Sequence, residues 1–186
     1  GVSVFLTRGL TTTPSEDERI AFTNNTSADL LISLSVDRHS SGAANGLATY
    51  FYGSETHGIH SIVGEKFATI VQRELIARTD LSNNRTHAKT WNLLRLTKAP
   101  AVMLDIGYIS NPKDSSRLAD PNFRDVIAEG LVVAIQIIRN RKKSKPNRME
   151  MMLAIPLESG IVNNKNSIIP ATSNQVSFKE KIPAVL

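Results

Sequence analysis

The chain has 186 residues, 41% of them hydrophobic and 21% charged, with no cysteine and a formal net charge of +5. That balance is enough apolar material for one globular domain and argues against a disordered chain, while the absence of cysteine excludes a disulfide framework, a thiolate zinc site and a cysteine nucleophile. The positive charge is concentrated at one end: residues 1–138 hold 13 Lys/Arg against 14 Asp/Glu, and residues 139–186 hold 9 against 3. A basic tail can contact nucleic acid or anionic lipid, but Phe178 is the only aromatic in this one and no stacking pattern accompanies it. The tail therefore reads as a solubilising linker, and no nucleic-acid partner is expected.

In chain order, VSVFLTR (Val2 to Arg8) reads as a strand, so the domain is expected to begin upstream of Gly1. Thr13 as N-cap, Pro14 at the first helical position and Glu16 as capping-box acid predict a helix from about Pro14 to Asn25. LLISLSV (Leu30 to Val36) is a second strand. LATYFYG follows, its Leu47, Thr49 and Phe51 sharing one buried face, and is expected to pair with the preceding strand or form a hairpin with it. From His57 to Arg78, Ile59, Ile62, Val63, Phe67, Ile70, Val71 and Leu75 recur at three- and four-residue spacing, which predicts a long amphipathic helix.

Asp80 to Lys89 is then expected to be a polar loop and LLRL (Leu93 to Leu96) a short strand. Ala101 to Pro112, AVMLDIGYISNP, is a buried strand that carries one acid near its C-terminal end and opens into a turn. A closing helix from Asp120 and Pro121 buries Phe123, Val126, Ile127, Leu131 and Ile135. Strands alternating with helices give an α/β fold, an open sheet with helices on both faces. No apolar run reaches the roughly 18 to 20 residues that span a bilayer, because Ile127 to Ile138 is interrupted by Glu129, Gly130 and Gln136. Periodicity stops after Arg139, so a domain boundary is placed near residue 140, with a basic tail over 141–186 whose composition predicts disorder. Met149 to Leu157 is an apolar island of unassigned role within it.

Asp105 is the leading functional candidate, since ligands of open α/β sheets bind where strands end. Its structural alternative is a buried acid bonded to the neighbouring turn. His57 and His60 share the spacing of two imidazoles on one helix face, but no acid or third histidine accompanies them. Arg85, His87, Lys89 and Trp91 are either a ligand-contacting loop or a polar loop pinned by Trp91 in the core. Gly107 and Asn111 serve the turn after the Asp105 strand. No phosphate-binding glycine loop or nucleophile elbow is present.

The order of these landmarks, LTR at Leu6 to Arg8, SADLLISLS at Ser27 to Ser35, LLRLTKAPAVMLDIGYISNP, then a closing helix, resembles the catalytic domain of zinc-dependent N-acetylmuramoyl-L-alanine amidases over residues 1 to about 140. The resemblance implies a mixed open sheet whose first strand and helix, with one His and one Glu zinc ligand, would precede Gly1. It also implies two departures. Ser35 stands where the family's second zinc-binding His belongs, and a neutral hydroxyl is a poor replacement for an imidazole. Asp105 stands at the catalytic Glu, one methylene short. His39, just past Ser35, is the one nearby substitute ligand.

SSGAANG (Ser40 to Gly46) and RTHAKTWNLLRLTKAP (Arg85 to Pro100) narrow the resemblance to an actinobacterial, CwlM-like subgroup with degraded metal sites. What it implies is a pseudoenzyme that regulates peptidoglycan synthesis from the cytoplasm, with no metal and no cofactor. Asp105, Ser33, Ser35, Arg85, Arg95 and Asn111 would surround a peptidoglycan fragment or precursor, or the partner would be a protein of peptidoglycan synthesis. The alternatives are an active zinc amidase, acting in the cell wall or outside the cell, and an interaction module with a vestigial groove.

Overall fold

The computed structural model describes residues 2–9, 12–54, 56–141 and 149–154. Its centre is strand β6 (Ala101–Tyr108), which pairs in parallel with β2 (Leu30–Asp37) on one side and antiparallel with β3 (Leu47–Ser54) on the other. β5 (Asn83–Lys89) and the two-residue β4 (Ile59–His60) both pair with β3, in parallel and antiparallel respectively. On the far side of β2 lie β7 (Met149–Ala154) and then β1 (Val2–Leu6), both parallel. Among the described residues this makes one mixed sheet of seven strands.

Period-2 alternation splits the central strands between two apolar layers. Leu30, Ile32, Leu34, Val102, Leu104 and Ile106 face α2 (Ile62–Ile76) and α5 (Pro121–Arg141), which contribute Phe67, Val71, Leu75, Ile127, Leu131 and Ile135. Leu31, Ala101 and Met103 face the opposite layer, where α1 (Glu16–Asn25) supplies Ile20 and α3 (Asn92–Leu96) supplies Leu93 and Leu94. Helices on both faces of a mixed open sheet match the expected fold class, and Leu47, Thr49 and Phe51 are buried together as the alternation requires. No helix among the described residues is long and apolar enough to cross a membrane.

Several boundaries differ from expectation for local reasons. α1 starts two residues later than Pro14, because Ser15 and Glu18, not Thr13 and Glu16, close the capping box. α2 starts at Ile62 with Ser61 capping Gly64 N, which leaves His57 in a turn and His60 in β4. The Asp80 to Lys89 segment is largely strand β5, a polar strand exposed on alternate residues because only one of its faces meets the core. Leu93 to Leu96 is helical, so that Leu93 and Leu94 both reach the core. The strand after β2 pairs with β6 rather than with β2, and a helix, α4 (Pro112–Ala119), precedes α5. Met149–Ala154 lies beyond the boundary expected near residue 140, yet it is a strand between β1 and β2. The remainder of the 141–186 tail, apart from Arg141, lies outside the described residues.

The turn leaving β6 is fixed by a buried carboxylate. Asp114, fully buried on the first turn of α4, accepts from Gly46 N at 2.8 Å, Tyr108 N at 3.1 Å and Arg117 Nη1 at 3.0 Å. Gly107 must be glycine here, since its φ is +117° and a Cβ would stand 3.2 Å from Asp114 Oδ2. Arg117 also pairs with Asp80, which is largely exposed. Removing the buried partner strands two backbone donors and takes from Arg117 one of its two carboxylates, so Asp114→Ala should lower the unfolding free energy by about 3 kcal/mol or more. Asp80→Ala should cost far less, because its pairing is solvated. Urea denaturation of the two variants checks the contrast.

Candidate ligand-binding groove

The register of four strands assembles one groove. Ser35 lies opposite Asp105 across the β2–β6 ladder, and Tyr50 lies opposite Met103 across β6–β3. In the β3–β5 ladder Tyr50 faces His87 and Tyr52 faces Lys89. That last register depends on a bulge, because Leu47 pairs with Asn83 but Thr49 with Thr86, leaving one extra residue on β5. Without it, Thr86 and Ala88 would stand opposite Tyr50 and Tyr52. Arg85 carries the strain with φ +67°. Buried Gln72 holds the bulge in place: its Nε2 donates to Leu47 O at 2.9 Å and to Asn83 Oδ1 at 2.8 Å, and its Oε1 accepts from Thr49 Oγ1 at 2.7 Å.

The result is a cavity of about 590 Å3 running from the C-terminal ends of β2 and β6 to the outer strand β5. Ser35, Met103 and Asp105 line its floor, Val36 and Asp37 one end, and a ledge of Tyr50, His87, Lys89 and Trp91 the other. The ledge rings touch: Tyr50 and Trp91 centroids are 4.7 Å apart at 53°, Tyr50 and His87 5.8 Å apart at 32°. Lys89 Nζ sits 5.6 Å from the Trp91 ring centroid, a cation–π contact. His87 Nε2 lies 2.6 Å from the carbonyl oxygen of Asn84, which can only accept, so that nitrogen carries a proton.

Asp105 is 9% exposed and is held by neighbours on both sides. Ser35 Oγ reaches both Leu104 O, at 2.9 Å, and Asp105 Oδ1, and the Tyr50 hydroxyl bonds the same carboxyl group. Burial pushes the Asp105 carboxyl above the ordinary carboxylate range, helped by the charge of Asp37 and opposed by the bonds from Ser35 and Tyr50. Ser35 has one proton, which either Leu104 O or Asp105 Oδ1 can accept. Burial and the nearby Asp105 charge likewise raise the Tyr50 phenol, keeping it a donor.

The sequence candidates divide accordingly. Asp105 and Ser35 share the groove floor. Ser33 does not line it: its side chain is fully buried and its Oγ lacks a hydrogen-bond partner. Arg85 is the bulge residue outside the lining, and Asn111 caps α4 through Lys113 N and Asp114 N while donating to Gly42 O. Arg95 lines a different groove. Trp91, expected as a core anchor, is 40% exposed. His57 bonds Ser54 and His60 pairs with Glu65, so the two do not form a metal pair; His39 Nδ1 accepts from Ser41 N. Tyr50, Asp37 and Met103 were not singled out from sequence, although the LATYFYG alternation puts Tyr50 on the face opposite Leu47, Thr49 and Phe51.

Among the described residues no group of three His, Asp or Glu side chains is placed to hold a metal ion. The Asp105 carboxyl is already engaged by Ser35 and Tyr50 and no imidazole stands on the β2 side. Asp105, Ser35 and Tyr50 by themselves do not make a zinc site.

An open mixed α/β sheet with a ligand-sized groove at its strand ends is the class that fold and site define. Within it, the sequence profile of the N-acetylmuramoyl-L-alanine amidases matches residues 1–137, and the chain belongs to that family. It is 45% identical over 136 residues to the N-acetylmuramoyl-L-alanine amidase CwlM of Mycobacterium tuberculosis, covering 73% of this chain and 33% of that protein. It is 31% identical over 138 residues to the probable cell wall amidase LytH of Staphylococcus aureus, covering 74% and 43% respectively. The chain thus spans between a third and a half of the length of these relatives. Among solved structures, the catalytic domain of CwlV from Bacillus (Paenibacillus) polymyxa var. colistinus superposes with a TM-score of 0.66 at 27% identity, covering 74% of this chain and 73% of that one. CwlD of Clostridioides difficile, solved with the GerS lipoprotein, superposes at 0.65 and 19% identity, covering 74% and 76%, a likeness of fold alone.

The raised Asp105 pKa has a signed consequence. The folded domain holds that proton more tightly than the unfolded chain, so its stabilising contribution is complete below the unfolded value near pH 4 and is lost as pH rises through the folded value. Asp105→Asn cannot ionise and escapes this loss. Melting temperatures measured from about pH 4 to pH 7 should show the wild type falling relative to the variant; parallel curves would mean an unshifted carboxyl.

Proposed function

We propose that this amidase-family domain binds a peptidoglycan fragment or precursor in the groove without cutting it, and serves in the regulation of peptidoglycan synthesis from the cytoplasmic side. The observation that carries the reading is Ser35 bonded to Asp105 at the groove floor. A hydroxyl there is a weak ligand for Zn²⁺, and a carboxyl already engaged by two hydroxyls has fewer lone pairs free for a reacting water.

Binding needs none of that chemistry. The groove offers an aromatic wall for an apolar face, Asp37 and Asp105 for hydroxyl and amide donors, and Lys89 for an acidic substituent, a mixture suited to an N-acylated sugar bearing a peptide.

Elemental analysis of the full-length protein, run beside release of peptide from purified peptidoglycan, tests the non-catalytic part. Substoichiometric zinc and no release are expected. One zinc per chain together with cleavage would instead make this an active zinc amidase with a substitute ligand. For binding, calorimetry with a soluble muropeptide should show Trp91→Ala weakening affinity about tenfold or more. Unchanged affinity in both Trp91→Ala and Asp105→Ala would remove the groove from the reading.

A further inference from the structure

A second groove opens at the other end of the sheet, near the N-terminal end of β6, with a cavity of about 320 Å3. Its apolar lining includes Ile62 and Val63 from the first turn of α2, Leu94 from α3 and Pro100. Ile62 is 60% and Val63 39% exposed, so two of the six exposed large hydrophobic residues among those described line this one cavity. Scattered exposed apolar residues need no explanation, but a contiguous set around a concavity marks a contact surface.

The rim decides what kind of contact. Arg95 and Lys98 line the groove, and among the described residues no Asp or Glu does. The nearby carboxylate, Glu65, is turned onto His60 with Nε2–Oε2 at 3.1 Å. A wholly apolar occupant would leave the two cations unanswered, and a basic one would be repelled, whereas an acidic residue beside apolar anchors satisfies both features. The site is also separate from the Asp105 groove: the two share no lining residue.

We propose that the Ile62–Val63 patch with Arg95 and Lys98 is a protein-docking surface that takes a short partner segment carrying apolar side chains next to Asp or Glu. The apolar anchors fill the cavity between α2 and α3 and the carboxylates pair with the rim cations. The surface is available whether or not the Asp105 groove holds a ligand. Arg95, which the sequence suggested for the ligand groove, belongs here instead.

The test is selection from a library of displayed random dodecapeptides against the full chain, with affinities of the selected peptides then measured for three variants. Expected is a consensus of apolar residues flanked by Asp or Glu, with affinity lowered about tenfold or more by Ile62→Ser/Val63→Ser and by Arg95→Glu, and weakened in about 0.5 M salt. Muropeptide binding and melting temperature should stay at the wild-type values in the serine variant, because both positions are exposed and outside the first groove. A neutral or basic consensus, peptides that bind the serine variant equally well, or failure to select any binder would each overturn the proposal. So would a concentration-dependent dimer of the chain that the serine variant abolishes, since the patch would then be covered by a second copy. Loss of muropeptide binding to the wild type would strike the Asp105 groove alone and leave this surface standing.

Discussion

The structure turns on how β6 ends. A central strand flanked by β2 in parallel and β3 antiparallel must release its chain into a helix without leaving backbone donors unpaired, and Asp114 performs that task. One carboxylate receives the amide of Tyr108, just after Gly107, the amide of Gly46, just before β3, and the guanidinium of Arg117. It thereby fixes the C-terminal end of β6 against the entry to β3. Because Asp105 lies on one of these strands and Tyr50 on the other, the geometry of the groove floor is a consequence of that tie. The requirement for Gly107 has the same origin, since both its left-handed φ and the closeness of Asp114 exclude a side chain.

Within that frame the groove combines a rigid wall and a hydrogen-bonded floor. The ledge is rigid because the β5 bulge that sets His87 and Lys89 against Tyr50 and Tyr52 is held by Gln72, a buried amide whose three hydrogen bonds bind α2 to β3 and β5. On the floor the hydroxyls of Ser35 and Tyr50 engage the Asp105 carboxyl. Rigid aromatic walls favour recognition. Strand register positions Ser35, Tyr50, His87, Lys89 and Asp105, and Trp91 joins the wall from the connection between β5 and α3.

How much of this could be read from sequence depends on what kind of signal each part emits. The fold class, β2, β6 and α5 were legible because their apolar residues follow a clean period, Asp105 because it interrupts such a run, and Ser35 because of its place in the family pattern. β5 was not, since a polar strand with one face on the core, NNRTHAK, carries little hydrophobic pattern and is held by pairing with β3 and by Gln72, both distant in sequence. LLRL was misassigned because four residues cannot distinguish a strand from a helical turn that buries two leucines. Ser33 and Arg95 resembled groove residues only by sequence neighbourhood. Which face a residue takes is fixed by the strand ladder and by α3, and neither is a local property. Tyr50 was within reach, as the odd member of an alternation already noticed.

The strand at 149–154 bears on where the domain ends. β1 and β2 do not pair with each other; both pair with β7, over five residues on one side and four on the other. Between two parallel strands, β7 satisfies backbone donors and acceptors of both, and without it the sheet would divide and present two unpaired edges. Composition marks everything after Arg139 as tail, because charge and polarity there outweigh apolar content. Backbone pairing is indifferent to that balance, and a six-residue run that contains Glu150 completes a ladder whose neighbours are already in place. Met149–Ala154 therefore belongs to the sheet although it lies past residue 140.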